Sequence, residues 1–269
     1  MDRGAVLAAF DEQIRRQPEF GPGVVVVRGV ATTRVVAGAD GWSGVTWSDL
    51  AGTDVDVAIS AEVAAFAAAG RSWEWKYYSY DQPPALPARL RAHGLVPDEV
   101  ETLMMARISD MDLHVAPPRG VDVVQVRDEN GVDDLVQVHD QAFGGDHSAV
   151  GRSVLADLAD RPGAGEAFVA YAGATPISAG RVSFHAGTDF AGLWGGGTIP
   201  AWRGRGVFRS LVSHRAARAA AAGFRYLQVD ASADSRPILR RLGFVEMATT
   251  IPYVMQADPQ EGSPLGPSR

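Results

Sequence analysis

"LWGGGTIPAWRGRGVFRSLVSHRAARAAAAG", residues 193–223, is the stretch on which the reading of the fold turns. A β-type run over 190–198 ends near Thr198, and Pro200 marks a turn. Arg203-Gly204-Arg205-Gly206-Val207-Phe208 then leads directly into an alanine-rich segment, predicted as a helix over 207–222 and closed by Gly223. Glycines at 204 and 206 let the backbone turn tightly and approach a ligand closely. The first N–H groups of a helix have no partner within it, and the helix dipole adds partial positive charge there. Together these features make an anion site suited to phosphate. Arg203 and Arg205 can add charge-assisted contacts, and the first turn carries Arg209 and no acid. The same residues also read as a glycine-containing turn before an ordinary helix. They are neither a Walker loop nor a dinucleotide fingerprint, because the Lys-Ser/Thr pair and the spacing are missing.

Working outward, the chain after this helix reads as a strand over 226–229, a helix over 235–242 and a strand over 245–255. Before it come a strand over 121–127, helices over 132–143 and 150–158, and strands over 167–172 and 177–185. The first part reads as a helix to about Gln17, strands over 24–27, 32–36 and 45–47, and an alanine-rich helix over 61–69 capped by Ser60. A strand over 73–80, a helix over 86–92 and a strand over 100–108 follow. From Ser109 to Gly120 periodicity is lost. The segments beginning "WKYYSYDQPPALPARLRAHG" and "YLQVDASADSRPILRRLGF" share one layout: an aromatic-led strand, an Asp, a Pro before a short helix, a Gly and a further strand. This reads as a duplicated fold.

The chain has 269 residues, 46% of them hydrophobic, and a formal charge of −7. That is room for two domains. The acidic balance argues against nucleic acid as a partner. With no cysteine, a disulfide framework, a cysteine nucleophile and thiolate metal sites are excluded, and no cluster has metal-ligand spacing, so no metal is expected. The first residues lack the apolar run of a signal peptide, and no stretch is long enough to span a membrane. The expected setting is cytoplasmic, with no membrane partner. A homodimer is left open.

At residues 203–208 the sequence resembles the GCN5-related N-acetyltransferase (GNAT) superfamily, whose loop reads Arg/Gln-x-x-Gly-x-Gly/Ala after a central strand. Arg203 and Gly206 match, and Phe208 takes the usual Gly/Ala position. The family's later helix followed by Gly-Phe is matched by "SRPILRRLGF", ending at Gly243-Phe244. The resemblance covers about 121–255. It implies an α+β fold with a mixed sheet, in a tandem arrangement such as the mycothiol synthases show. The expected domains are a degenerate copy over 1–112, a linker over 113–120, a complete N-acetyltransferase domain over 121–256 and a disordered tail over 257–269. No "RGRG" loop precedes Ala61.

The resemblance further implies acetyl-CoA as cosubstrate and an amine acceptor, the acyl group passing by direct attack of the amine on the thioester. Gly197, Thr198 and Ile199 would line the acyl-pantetheine arm; Arg203, Gly204, Arg205, Gly206, Val207 and Phe208 would take the pyrophosphate. Ser235 falls where many members have Asn. Glycines 195–197 also read as a bulge. The Tyr that often protonates the leaving thiolate is replaced by Leu239, although a thiol's moderate pKa allows it to leave unaided. His185, Asp189, Asp230 and Tyr253 are the candidates for proton transfer, each with a structural reading beside it: a solvated turn, a turn cap, a loop hydrogen bond and a half-buried strand residue. His139 and His147 fall in the region that faces the acceptor. Trp42, Trp47, Trp73 and Trp75 read as core packing or as an acceptor pocket. The expected function is an acyl-CoA-dependent N-acyltransferase, with a non-catalytic acyl-CoA-binding regulatory protein as the alternative.

Overall fold

The computed structural model describes residues 1–257 except 19, 22, 39 and 40. The expected tail falls, but for Ala257, outside the described residues. The helices are α1 (Arg3–Phe10), α2 (Val55–Ala68), α3 (Leu86–Ala92), α4 (Glu129–Phe143), α5 (Ser148–Asp160), α6 (Val207–Ala221) and α7 (Arg236–Arg241). The strands of the first part are β1 (Val25–Arg28), β2 (Thr32–Val36), β3 (Gly44–Ser48), β4 (Trp73–Tyr78), β5 (Val96–Pro97) and β6 (Glu101–Arg107). Those of the second are β7 (Val121–Gln125), β8 (Gly165–Ala172), β9 (Thr175–Phe184), β10 (Phe190–Thr198), β11 (Tyr226–Ala231) and β12 (Val245–Met255).

Two local expectations change. The first helix ends at Phe10 and continues as a π-type turn over Asp11–Arg15 instead of running to Gln17. Arg15 is buried there and pairs with Asp81 through two contacts of 2.9 Å. The helix expected at 61–69 starts earlier, at Val55, because the Asp54 carboxylate accepts the N–H groups of Asp56 and Val57. Ser60, expected as its cap, lies inside it. The short strand Val96–Pro97 was not foreseen.

The strands form one mixed sheet in the order β1-β2-β3-β4-β12-β6-β11-β10-β9-β8-β7, with β5 added on β12. The two matching strand-helix-strand segments, β4-α3-β6 and β11-α7-β12, do not close on themselves. β6 lies against β11, with Leu227 opposite Ala106 and Asp230 opposite Leu103, whereas β12 lies against β4, with Pro252 opposite Lys76. The two last strands also pair with each other. Each part's final strand therefore borders the other part's sheet. Residues just after β6 are fixed to α6 as well: Ser213 Oγ donates to the Asp112 carbonyl and accepts the Val115 N–H.

Side-chain alternation along the strands sorts the core by sheet face. Leu193, Leu227, Met104 and Ala106 pack with Leu211, Val212, Ala216 and Ala219 of α6, whose spacing of three and four residues gives one apolar stripe. On the other face Val6 and Phe10 of α1 cover Tyr78, Leu103, Met105, Phe190 and Tyr226, residues drawn from both parts of the chain. Helices α4 and α5 pack on β8 and β9 through Leu135, Val138, Val154, Val169 and Ala179. Trp73 and Trp75 are buried in the core of the first part, with Trp73 stacked on Phe66. Trp47 lies beneath the Arg16 guanidinium, and Trp42 stacks on Phe20.

Candidate active site

Strands β10 and β11 run parallel, but they pair only from Phe190–Gly192 to Tyr226–Gln228. Beyond Gly192 they separate. A bulge between Trp194 and Gly197 bends β10 away while its other edge stays on β9. The edge of β10 that faces the gap is consequently unpaired beyond Gly192. Both readings of the glycine run meet here, since it forms a bulge and also makes space: a Cβ on Gly196 would stand 3.0 Å from the Phe208 ring and 3.1 Å from Arg215 Nη2.

Helix α6 starts at the end of this gap. Gly206 is its N-cap at φ 89°, the left-handed region, and no side chain caps the helix. No acid sits in its first turn, so the first N–H groups face outward with the dipole behind them. Arg205 spreads over the Trp202 ring at 4.7 Å. Arg203, expected at the phosphates, donates from Nε to the Thr198 carbonyl (3.1 Å) and from Nη2 to the Ala142 carbonyl (2.8 Å). It thus ties the end of α4 to the end of β10. Thr198 and Ile199 are buried, and the Thr198 hydroxyl meets Ser178 Oγ at 2.8 Å. Val207 is buried in the α4-side core.

A cavity of about 280 Å³ occupies the gap. On the α6 face its wall is Leu193, Phe208, Val212, Arg215, Val229, Ser235 and Leu239. Leu239 is also part of the buried core, so no hydroxyl stands at that point. Arg215 is fully buried and donates to the carbonyls of Leu211 and Arg181 (3.2 and 3.0 Å), and burial pulls its pKa down to about 9. On the other face the wall is Phe143, Trp194 and Asp230, joined by Lys76 from β4 and Glu101 from β6. Lys76 Nζ lies 3.1 Å from Asp230 Oδ2 and 3.0 Å from Glu101 Oε2. Burial works to lower the Lys76 pKa, but the Asp230 and Glu101 carboxylates outweigh it and hold it above the ordinary lysine range. Burial raises the Glu101 carboxyl, with Lys76 opposing.

Of the four residues expected in proton transfer, only Asp230 lines this cavity. Asp189 lies at the outer end of β10, held by Gln13 Nε2 and Arg225 Nη1. Tyr253 is wholly buried in the core of the first part, against Tyr77. His185 follows β9, with a buried Nε2 that has no partner and a pKa lowered to about 4 by burial. His139 is buried on α4 and donates to the Gly195 carbonyl at 2.8 Å, bracing the bulge; burial lowers its pKa to about 4. His147 Nδ1 meets Asp140 at 2.9 Å. Lys76 and Glu101 are the residues that sequence reading missed. The only signal for them was the presence of charged residues, Glu74 and Lys76 in β4 and Glu101 and Arg107 in β6, within strands that are otherwise mostly apolar or aromatic.

The first part has a related geometry without the anion site. β3 and β4 are parallel and pair only through Gly44 and Val45, with α2 between them in the chain. The start of α2, however, is filled by the Asp54 carboxylate and followed by Asp56.

Among the described residues, no group of three or more His, Asp or Glu side chains could hold a metal, and no helix is long and apolar enough to cross a membrane. No protein-family model and no curated protein matches the chain. Solved structures do. A GCN5-related N-acetyltransferase from Kribbella flavida superposes with a TM-score of 0.63 at 20% identity, covering 96% of this chain and 95% of that one. A tandem GNAT protein from the clavulanic acid biosynthesis pathway gives 0.59 at 13% identity, over 96% and 95% of the two chains. A GCN5-related N-acetyltransferase from Sphaerobacter thermophilus gives 0.58 at 14%, over 95% and 91%. The chain has the fold of the GCN5-related N-acetyltransferases, in an arrangement shared with a tandem member over nearly its full length.

Proposed function

We propose that this protein is an acyl-CoA-dependent N-acyltransferase that moves an acetyl group from acetyl-CoA to an amine by direct attack. One observation carries this reading: the uncapped, acid-free N-terminus of α6 opens at the end of a gap between parallel strands. The pyrophosphate would rest on the N–H groups of Val207, Phe208 and Arg209, with Arg205 beside it. The free edge of β10 at Gly197–Ile199 would pair with the amide-bearing arm, as a sheet edge pairs with an added strand. The thioester would then lie over the bulge beside Phe208, with Ser235 near the arm. A neutral amine attacks the thioester carbonyl, the C–N bond forms, the C–S bond breaks and the thiolate leaves. The acceptor ammonium gives its proton to solvent before it attacks, and Asp230, on the cavity wall, is placed to hold the acceptor. With Leu239 at the position of the usual hydroxyl, the thiolate takes its proton from solvent. The two-domain division, with a boundary at 113–120, is part of the same reading.

Calorimetry with acetyl-CoA tests the first half of this reading, and absence of heat at high ligand concentration overturns it. A thiol-release assay across a panel of amines tests the second half. Binding without release would leave a non-catalytic acyl-CoA-binding protein.

A further inference from the structure

The proposed reaction leaves the acceptor undefined, and the face of the cavity away from α6 carries a charge pattern that narrows it. Gly192, Gln228 and Trp194 share that face, since a Cβ on Gly192 would meet the side-chain nitrogens of both Gln228 and Trp194 at 2.7 Å. Asp230, two residues beyond Gln228, lies on it too, and the β11–β6–β12–β4 registers bring Glu101 and Lys76 alongside.

Two carboxylates, Asp230 and Glu101, contact the single ammonium of Lys76, and Glu74, whose carboxyl pKa burial raises, acts on it from two residues away on β4. Lys76 contacts Glu101 and one oxygen of Asp230. The other oxygen, Asp230 Oδ1, is out of contact with solvent and has no hydrogen-bond partner, on a side chain only 8% exposed. Asp230 lines the cavity, and a buried carboxylate oxygen left without a partner calls for a donor. Trp194 and Phe143, 38% and 54% exposed, stand on the same cavity with their rings available. Aromatic faces and carboxylates together favour an ammonium. The other cation on the wall, Arg215, is on the α6 face against Gly196, so the two charges are separated across the sheet. Arg181, near Gly195, does not line the cavity; its Nε is buried without a hydrogen-bond partner, and Asp157 opposes its charge without a direct contact.

We propose that this face binds an aliphatic diamine or longer polyamine that carries no carboxylate. The inference rests on the acyltransferase reading. The attacking nitrogen must be neutral when it reacts, so it cannot also offset the surplus negative charge. A second ammonium does so, donating to Asp230 Oδ1 and lying against Trp194. A carboxylate on the acceptor would face Asp230 and Glu101 on a side of the cavity whose one cation, Lys76, is already paired to both. The first part of the chain, through Lys76 and Glu101, thereby sets acceptor choice in a site whose acyl-CoA side belongs to the second part.

The test compares 1,4-diaminobutane with ornithine, the same skeleton plus a carboxylate, and with butylamine, which lacks the second charge. Thiol release from acetyl-CoA should favour the diamine over both by about tenfold or more in kcat/KM. Glu101→Gln and Asp230→Asn should each shrink that preference, chiefly through KM for Glu101→Gln, while acetyl-CoA binds both variants within about twofold of the parent protein. Equal or better use of ornithine overturns the inference, as does a preference that survives both substitutions. Calorimetry of 1,4-diaminobutane against the protein alone keeps the two readings separate. Diamine binding lost in Asp230→Asn supports the site even if acetyl-CoA does not bind. Acetyl-CoA binding with no diamine preference refutes the site and leaves the acyltransferase reading standing.

Discussion

Lys76, on a strand of the first part of the chain, holds its ammonium 3.1 Å from Asp230, near the end of β11 in the second. Both are largely shielded from solvent, and Glu101 completes the group from a third strand. Removing the cation leaves two carboxylates without their partner in a poorly solvated place. Lys76→Met should therefore lower stability to urea by about 3 kcal/mol. Unfolding within about 0.5 kcal/mol of the parent protein would show that the pair contributes nothing to holding the two parts together.

The start of α6 makes a charge-specific prediction. Gly206 sits at φ 89°, which Asn tolerates better than most residues, so Gly206→Asn should keep the turn and most of the acetyl-CoA affinity. Gly206→Asp has nearly the same shape but sets a carboxylate against the pyrophosphate, and should weaken binding by more than tenfold beyond the Asn variant. Equal affinities for the two variants, measured by calorimetry, would move the pyrophosphate elsewhere.

Stoichiometry follows from comparing the two helix starts. Asp54 already accepts the first N–H groups of α2 and adds negative charge, whereas nothing caps α6. One acetyl-CoA should bind per chain. Two equivalents in calorimetry, or binding that persists undiminished in Gly206→Asp, would place a ligand in the first part.

Two histidines, His139 buried and His185 partly so, give a pH dependence of definite sign. His139 and His185 both have pKa values lowered to about 4 by burial, below the ordinary value near 6.5. As pH falls, the unfolded chain takes up those protons first. Their contribution is complete above about pH 6.5 and declines toward pH 4, by about 2 kcal/mol each between pH 7 and pH 5. His139→Gln retains a donor for the Gly195 carbonyl and should flatten that decline. Urea midpoints at the two pH values that fall equally in both proteins would contradict the assignment.

Local structure was largely legible. The strand ending at Thr198, the glycine turn and the helix from Val207 are specified by residues within one short stretch, as is the helix before Gly243-Phe244. Where local reading failed, a nearby competitor decided the outcome. Asp54 outdid Ser60 as a cap because its carboxylate reaches two N–H groups. The roles of single residues were less legible. Tyr253 read as a candidate for proton transfer, but the core closes around it, and Arg203, read as a phosphate contact, gives two of its donors to backbone carbonyls.

By itself the sequence determined the elements, the doubled layout and the open helix start, because hydrophobic periodicity, capping and glycine placement act over a few residues. Only the tertiary structure decided that β6 and β12 border the opposite parts of the sheet, since strand pairing depends on contacts between residues far apart in the chain. That exchange carries Lys76 and Glu101 to Asp230 and puts residues from both parts on the wall of one cavity.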